Sequence, residues 1–281
     1  MSETTAAGAP LEVARDGDLV WLTLADPARA NALSPRMLGE LTTAYERDWR
    51  AEGVRAVLLR GAGKHFSAGA DLEHLRSLRD AGPEENRRDS ERLRRLFEAV
   101  LRQPALTVAA VQGACVAGGC GLATAHDFVV AAEDARFLYS EVRIGFVAAL
   151  VATYLPLRLR GRDIRELLLN PEFVDATRAL EIGLVNRVSP RAGLEATAQS
   201  LAGEILERAS SESVARTKAL LLELLGTPLD AALERAAEVN AAARATDDCK
   251  HGIATFLDTK APPSWRPDGD AASSGKPGEV E

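Results

Sequence analysis

Ser67-Ala68-Gly69-Ala70-Asp71-Leu72 and Gly113-Ala114-Cys115-Val116-Ala117-Gly118-Gly119-Cys120-Gly121-Leu122 are the two stretches that decide the fold. Each leaves an apolar strand and leads into a helical pattern. Small residues at such a junction let the backbone come close to a ligand and aim main-chain N–H groups at it. Two junctions of this kind in one domain suggest a pair of donors converging on a single oxygen, an oxyanion hole. The bland alternative is a pair of tight turns that need small residues only for packing.

On either side of these junctions the chain alternates buried strands with helices. Val20 to Leu24 reads as a strand ended by Asp26-Pro27, and Ser34-Pro35 supplies an N-cap with proline at the first helical position. Met37, Leu38, Leu41, Ala44 and Tyr45 then carry a helical period. Val54 to Leu59 and Leu106 to Val111 are apolar runs too short for helices and suited to buried parallel strands. Residues 76–90, with Gly82-Pro83, read as a charged mobile loop. A helix then runs to about Arg102 with Leu93, Leu96, Phe97, Val100 and Leu101 on its inner face, stopped by Pro104. Phe128 to Ala132 and Arg136 to Tyr139 are further strands. Beyond about residue 191 the pattern is helical, over 194–209, 213–225 and 228–245. This order argues for an α/β layered domain with a helical appendage.

The composition narrows the class. The 281 residues are 46% hydrophobic and 27% charged, an ordinary globular balance with length for a sizeable core. A net charge of −7 gives no general attraction for nucleic acid. The arginines of 87–95 alternate with Asp89 and Glu91, as on a solvated helix face rather than a phosphate-binding stripe. No run approaches the roughly 20 apolar residues of a membrane span, and the first ten residues lack a secretory pattern, so a cytoplasmic location is expected. Three cysteines form no CxxC pair, and Cys115 and Cys120 read as small buried fillers. Four histidines show no metal spacing, so no metal is expected. His65 and His74 read as exposed loop residues, Asp71 and Asp127 as structural caps.

From Val20 to Trp265 the chain resembles the crotonase (enoyl-CoA hydratase/isomerase) superfamily. The resemblance rests on Arg29-Ala30-Asn31-Ala32-Leu33-Ser34, Phe66 to Leu72, Gly113 to Asp127, Ser140-Glu141-Val142-Arg143-Ile144-Gly145 and Ala176 to Val188, all in the family's order. It implies a spiral of ββα units over 11–200 and a helical trimerisation region over 201–265, between a disordered N-terminus (1–10) and tail (266–281). It implies oxyanion donors at the Ala70 and Gly118 backbone and a catalytic carboxylate at Glu141. Coenzyme A is expected against Arg29, Ala30 and the Ala68-Gly69-Ala70-Asp71-Leu72 backbone. Phe256 and Lys260 are expected near CoA on a neighbouring subunit, although Lys260 stands one residue off the commonest spacing. The implied partners are an acyl-CoA substrate and further copies of the chain in a homotrimer or hexamer, with no nucleic acid, no membrane and no cofactor beyond the substrate's own CoA.

Two departures bear on the reaction. Hydratases of the best-known type carry a second glutamate where this chain has Gly121, and a glycine-rich helix start where it has Phe146 to Ala152. The first leaves one acid; the second suggests a more apolar acyl pocket with less room for ordered water. Hydration of a 2-enoyl-CoA, straight-chain or branched, is the leading expectation. The alternatives are a one-glutamate isomerase of 3-enoyl-CoA and a catalytically idle acyl-CoA-binding homologue.

Overall fold

The computed structural model describes residues 8–265. Most of the expected N-terminal segment and the whole expected tail lie outside them. In chain order the strands and helices are β1 (Leu11–Asp16), β2 (Leu19–Leu24), α1 (Pro35–Glu46), β3 (Ala56–Gly61), α2 (Leu72–Leu78), α3 (Pro83–Arg102), β4 (Leu106–Val111), β5 (Ala114–Val116) and α4 (Gly118–Thr124). There follow β6 (Phe128–Ala132), β7 (Arg136–Leu138), α5 (Ala149–Tyr154), α6 (Gly161–Leu169), β8 (Val174–Asp175), α7 (Ala176–Glu181) and β9 (Arg187–Ser189). The chain closes with α8 (Leu194–Arg208), α9 (Ser211–Glu223), α10 (Leu229–Arg244) and α11 (Asp247–Thr259).

Six strands form one sheet in the order β1-β2-β3-β4-β6-β9, parallel except for the β1–β2 pair. Both faces are covered, so its inner strands are predominantly apolar, and all six residues of β4 are buried. Alternate side chains go to opposite faces, as the period of two requires. Val57 and Leu59 join the larger core with α1, α3 and α4, while Ala56 and Leu58 face Leu194, Ala198 and Leu201 of α8. A second sheet, β5-β7-β8, pairs β5 with β7 in parallel and β7 with β8 antiparallel.

The N-cap at Ser34 forms as expected, its hydroxyl accepting from the Met37 N–H at 3.2 Å. The segment 76–90 is not a loop. α2 occupies its start, and Gly82-Pro83 opens α3 with Gly82 as N-cap and proline at the first turn. Its charges pair along the helix, Glu84 with Arg87 and Arg88, Arg94 with Glu91 and Glu98, so they support the element rather than melt it. The expected division after residue 200 falls inside α8, a helix that packs on the large sheet. The strandless region begins after β9, and its first helix, α8, belongs to the cover of the sheet. β1 went unread in the sequence because LEVARD is half charged, as suits an edge strand.

Candidate active site

The two small-residue stretches meet. Ser67 bridges Cys115 of β5, and the Val116 N–H donates to the Ser67 carbonyl at 2.9 Å. Gly69, at φ +82°, lies so close to β5 that a Cβ there would sit 2.6 Å from the Val116 carbonyl oxygen. Only glycine meets both demands. One helical step further, a Cβ on Gly119 would stand 2.9 Å from the Ser67 Cβ. The first turn thus packs directly on the start of α4, and Ala70 and Gly118 follow the contact on each side.

Both N–H groups are free of the ladders. Leu33 donates to the Gly69 carbonyl at 2.7 Å, a pairing that leaves the Ala70 N–H out. Gly118 is the first residue of α4, where an N–H has no acceptor within the helix. Ala117 holds this entry with φ +47°, uncommon for alanine, its N–H fixed on the Leu138 carbonyl at 2.7 Å. The first turn is braced by Asn31, which the sequence marked only as part of a motif. Buried Asn31 donates to the Ala62 and His65 carbonyls at 2.9 Å each, and its own carbonyl accepts from the Ser67 hydroxyl at 2.8 Å.

Glu141 follows β7, the strand of the second sheet that pairs with β5. Val116 is level with Leu138 in the β5–β7 register, so Gly118 and Glu141 lie two and three residues past level positions. Glu141 opens a 3-10 turn, Glu141–Ile144, and is 9% exposed. Among the described residues its buried Oε2 has no hydrogen-bond partner. Burial raises its pKa above the ordinary carboxylate range, with a bond from its own backbone N–H acting the other way. Among the described residues no arginine pairs with it: Arg143 reaches instead to the Pro171 carbonyl. A buried carboxylate with a free oxygen and a raised pKa is suited to carry a proton.

A groove of about 360 Å³ opens beside the first turn, lined by Arg29, Ala32, Ala68, Ala70, Asp71, Leu72 and Glu73. Of the expected CoA contacts, Arg29, Ala68, Asp71 and Leu72 line it, while Ala30 and Gly69 shape the backbone behind it in left-handed conformations. Asp71 caps α2, accepting from the Glu73 and His74 N–H groups, and those bonds lower its pKa. Phe256 and Lys260 sit on and just after α11 and line no part of this groove. Lys260 ends that helix in a left-handed conformation, its Nζ on the Leu257 carbonyl.

Neither loop histidine is exposed. His65 Nδ1 accepts from the Ala114 N–H at 3.0 Å, which ties the first turn to β5, and His74 contacts Asp89 of α3 at 2.6 Å. Asp127 is structural but caps no helix; it bonds Thr107 and Lys218, joining β4, β6 and α9. Cys115 and Cys120 are fully buried, with the Cys120 thiol donating to the Cys115 carbonyl. Phe146 and Val147 point outward rather than into a pocket, and Val151 is the member of that segment that packs inside, against Gly121. No three His, Cys, Asp or Glu side chains among the described residues could share a metal ion.

Comparison with known proteins agrees with this architecture. The Enoyl-CoA hydratase/isomerase family profile matches residues 15–267. A Thermus thermophilus protein that carries an enoyl-CoA hydratase name is 45% identical over 246 residues, covering 88% of this chain and 97% of its own. The peroxisomal Delta(3,5)-Delta(2,4)-dienoyl-CoA isomerase of Arabidopsis thaliana is 30% identical over 272 residues, covering 90% and 95%. The crystal structure of an enoyl-CoA hydratase from Mycobacterium smegmatis superposes with a TM-score of 0.83 at 32% identity, covering 91% and 98%. The chain belongs to the enoyl-CoA hydratase/isomerase family, and its fold is the crotonase fold.

Proposed function

We propose that this chain is a one-carboxylate member of its family, acting on the thioester of an enoyl-CoA. The Ala70 and Gly118 N–H groups hold the thioester oxygen as enolate charge develops, each such donor being worth about 3–4 kcal/mol. Glu141 moves every proton. The observation that carries this reading is its buried Oε2, unpartnered among the described residues, just past the β7 strand that pairs with the strand leading into α4. The Arg29–Leu72 groove receives CoA, with Phe256 and Lys260 serving a neighbouring subunit. CoA arrives with the substrate, so the chemistry needs no separate cofactor.

Hydration of a 2-enoyl-CoA is the first reaction to assay, being the activity in the names of most relatives, including the crotonyl-CoA hydratase of Syntrophomonas wolfei. It adds hydroxyl to C3 and a proton to C2. The second reading is isomerisation, in which Glu141 takes a proton from C2 of a 3-enoyl thioester and returns it to C4. The surroundings of Gly121, which leave no second acid, favour it.

A homotrimer or hexamer is proposed because α9, α10 and α11 have no fully buried residue within the chain and leave Leu221, Leu229, Leu233, Ile253 and Phe256 exposed. Among the described residues no helix is long and apolar enough to cross a membrane, and a cytoplasmic location is proposed with the rest.

The test offers 2-enoyl-, 3-enoyl- and branched enoyl-CoAs in deuterated water to the wild type and Glu141→Gln, with products weighed. Oxygen gain reports hydration; deuterium without oxygen in a shifted alkene reports isomerisation. The variant should lose about 10²–10⁴-fold in kcat while still binding CoA. Equal, negligible turnover by both proteins would leave an acyl-CoA-binding homologue instead.

A further inference from the structure

Gly121 is not merely a position without an acid; its space is taken. A Cβ there would lie 2.7 Å from Phe97 Cζ, 3.1 Å from Phe97 Cε2 and 3.0 Å from Val151 Cγ2. The Phe97 ring has little freedom to retreat. It is 2% exposed and meets Tyr154 edge-on, with centroids 5.9 Å apart. Tyr154 is fixed in turn, its hydroxyl donating to the Gly121 carbonyl at 2.8 Å. Tyr154 also lies within electrostatic reach of Glu141. The contacts therefore run from Gly121 through Phe97 and Tyr154 toward the carboxylate, and their surface is largely aromatic. An ordered water needs two to four polar partners, and the hydroxyls beside this wall are already engaged, Tyr154 donating to the Gly121 carbonyl and Thr124 to the Cys120 carbonyl.

We propose that Phe97 is a specificity-determining residue: its ring fills the volume of the missing second acid and slows addition of water at C3 relative to proton transfer between C2 and C4. The inference rests on Glu141 being the proton carrier. Both outcomes are balanced without a redox partner. Water splits to place OH on C3 and H on C2, or the proton leaving C2 of a 3-enoyl thioester returns at C4.

The experiment measures, from crotonyl-CoA and 3-hexenoyl-CoA in deuterated water, the ratio of hydrated to isomerised product for the wild type, Phe97→Leu and Phe97→Ala. The ratio should rise about tenfold in Phe97→Ala, the scale on which a pocket registers lost bulk, with Phe97→Leu between. A structural role alone would lower both rates together and leave the ratio fixed, which overturns the proposal. A second arm needs no turnover: Gly121→Ala should lower Tm in the wild type and do so far less in the Phe97→Leu background. An additive pair of Tm changes overturns the claim that Phe97 fills this space. Loss of nothing in Glu141→Gln would instead defeat the assignment of the proton carrier, with the Tm arm still deciding the packing claim.

Discussion

On the proposed reading, Glu141 trades stability for reactivity. Its charge is costly where it sits, because burial removes water and, among the described residues, no cation replaces it. A carboxyl whose folded pKa is raised destabilises the folded state once pH exceeds the unfolded value, and the penalty is relieved as pH falls. Glu141→Gln is therefore expected to raise Tm at pH 8 while it cuts turnover, and the Tm gain should shrink toward pH 4. A lower Tm for the variant at pH 8 would contradict this account. The wild-type kcat/KM profile should show an acid limb above the roughly 4.3 of an ordinary glutamate, because the base form is lost as pH falls through the raised value. The limb is read from kcat/KM with a 2-enoyl-CoA between pH 4 and 9, and its absence would place the proton on another group.

At the scale of elements, the site is a seam between the first turn and α4. Gly119→Ala tests it, since the added methyl must displace Ser67 at both its Cβ and its carbonyl oxygen, each 2.9 Å away. The expected cost is about 1–3 kcal/mol of stability, the usual price of overpacking, with a larger fall in kcat than rise in KM because the Ala70 and Gly118 donors separate. Unchanged kinetics would mean that the seam does not set the donor geometry. Much of this was legible in the sequence. The small residues of 67–72 and 113–122 announced two close backbone approaches, and the apolar runs of β2, β3, β4 and β6 announced buried strands. What stayed hidden was tertiary. Phe97 looks like any inner-face residue of a helical period, and no local pattern tells that its ring ends at Gly121. The charges of 76–90 looked like a loop because their i, i+3 and i, i+4 partners stabilise a helix that composition alone argues against. Asn31 and His65 gave no sign of their bracing roles, since their partners are backbone groups 31 to 49 residues away.

Across the whole molecule, α1 and α4 are tied together through one buried histidine beside the charge of Lys218 on α9, and this sets an expected acid limit to stability. His126 Nδ1 faces the Leu122 carbonyl at 2.8 Å, an acceptor, so Nδ1 carries the proton and Nε2 accepts from the Tyr45 hydroxyl at 2.6 Å. Desolvation, helped by the nearby charges of Lys218 and Arg158, pushes the His126 pKa down to about 3 from 6.5. In the unfolded chain the same imidazole titrates near 6.5. Between these values the unfolded state binds a proton that the folded state refuses, so stability falls as pH drops through this window and is unaffected above it. The slope approaches about 1.4 kcal/mol per pH unit well below 6.5. Replacing the imidazole by an amide that does not titrate removes this contribution. His126→Asn should be less stable than the wild type at pH 8, because Tyr45 loses its partner, yet it should lose less stability between pH 7 and pH 5. Urea unfolding at pH 8, 7, 6 and 5 measures both. Parallel stability curves for the two proteins would show that acid enters the fold through other groups, and that the α1–α4 tie at His126 is not its weak point.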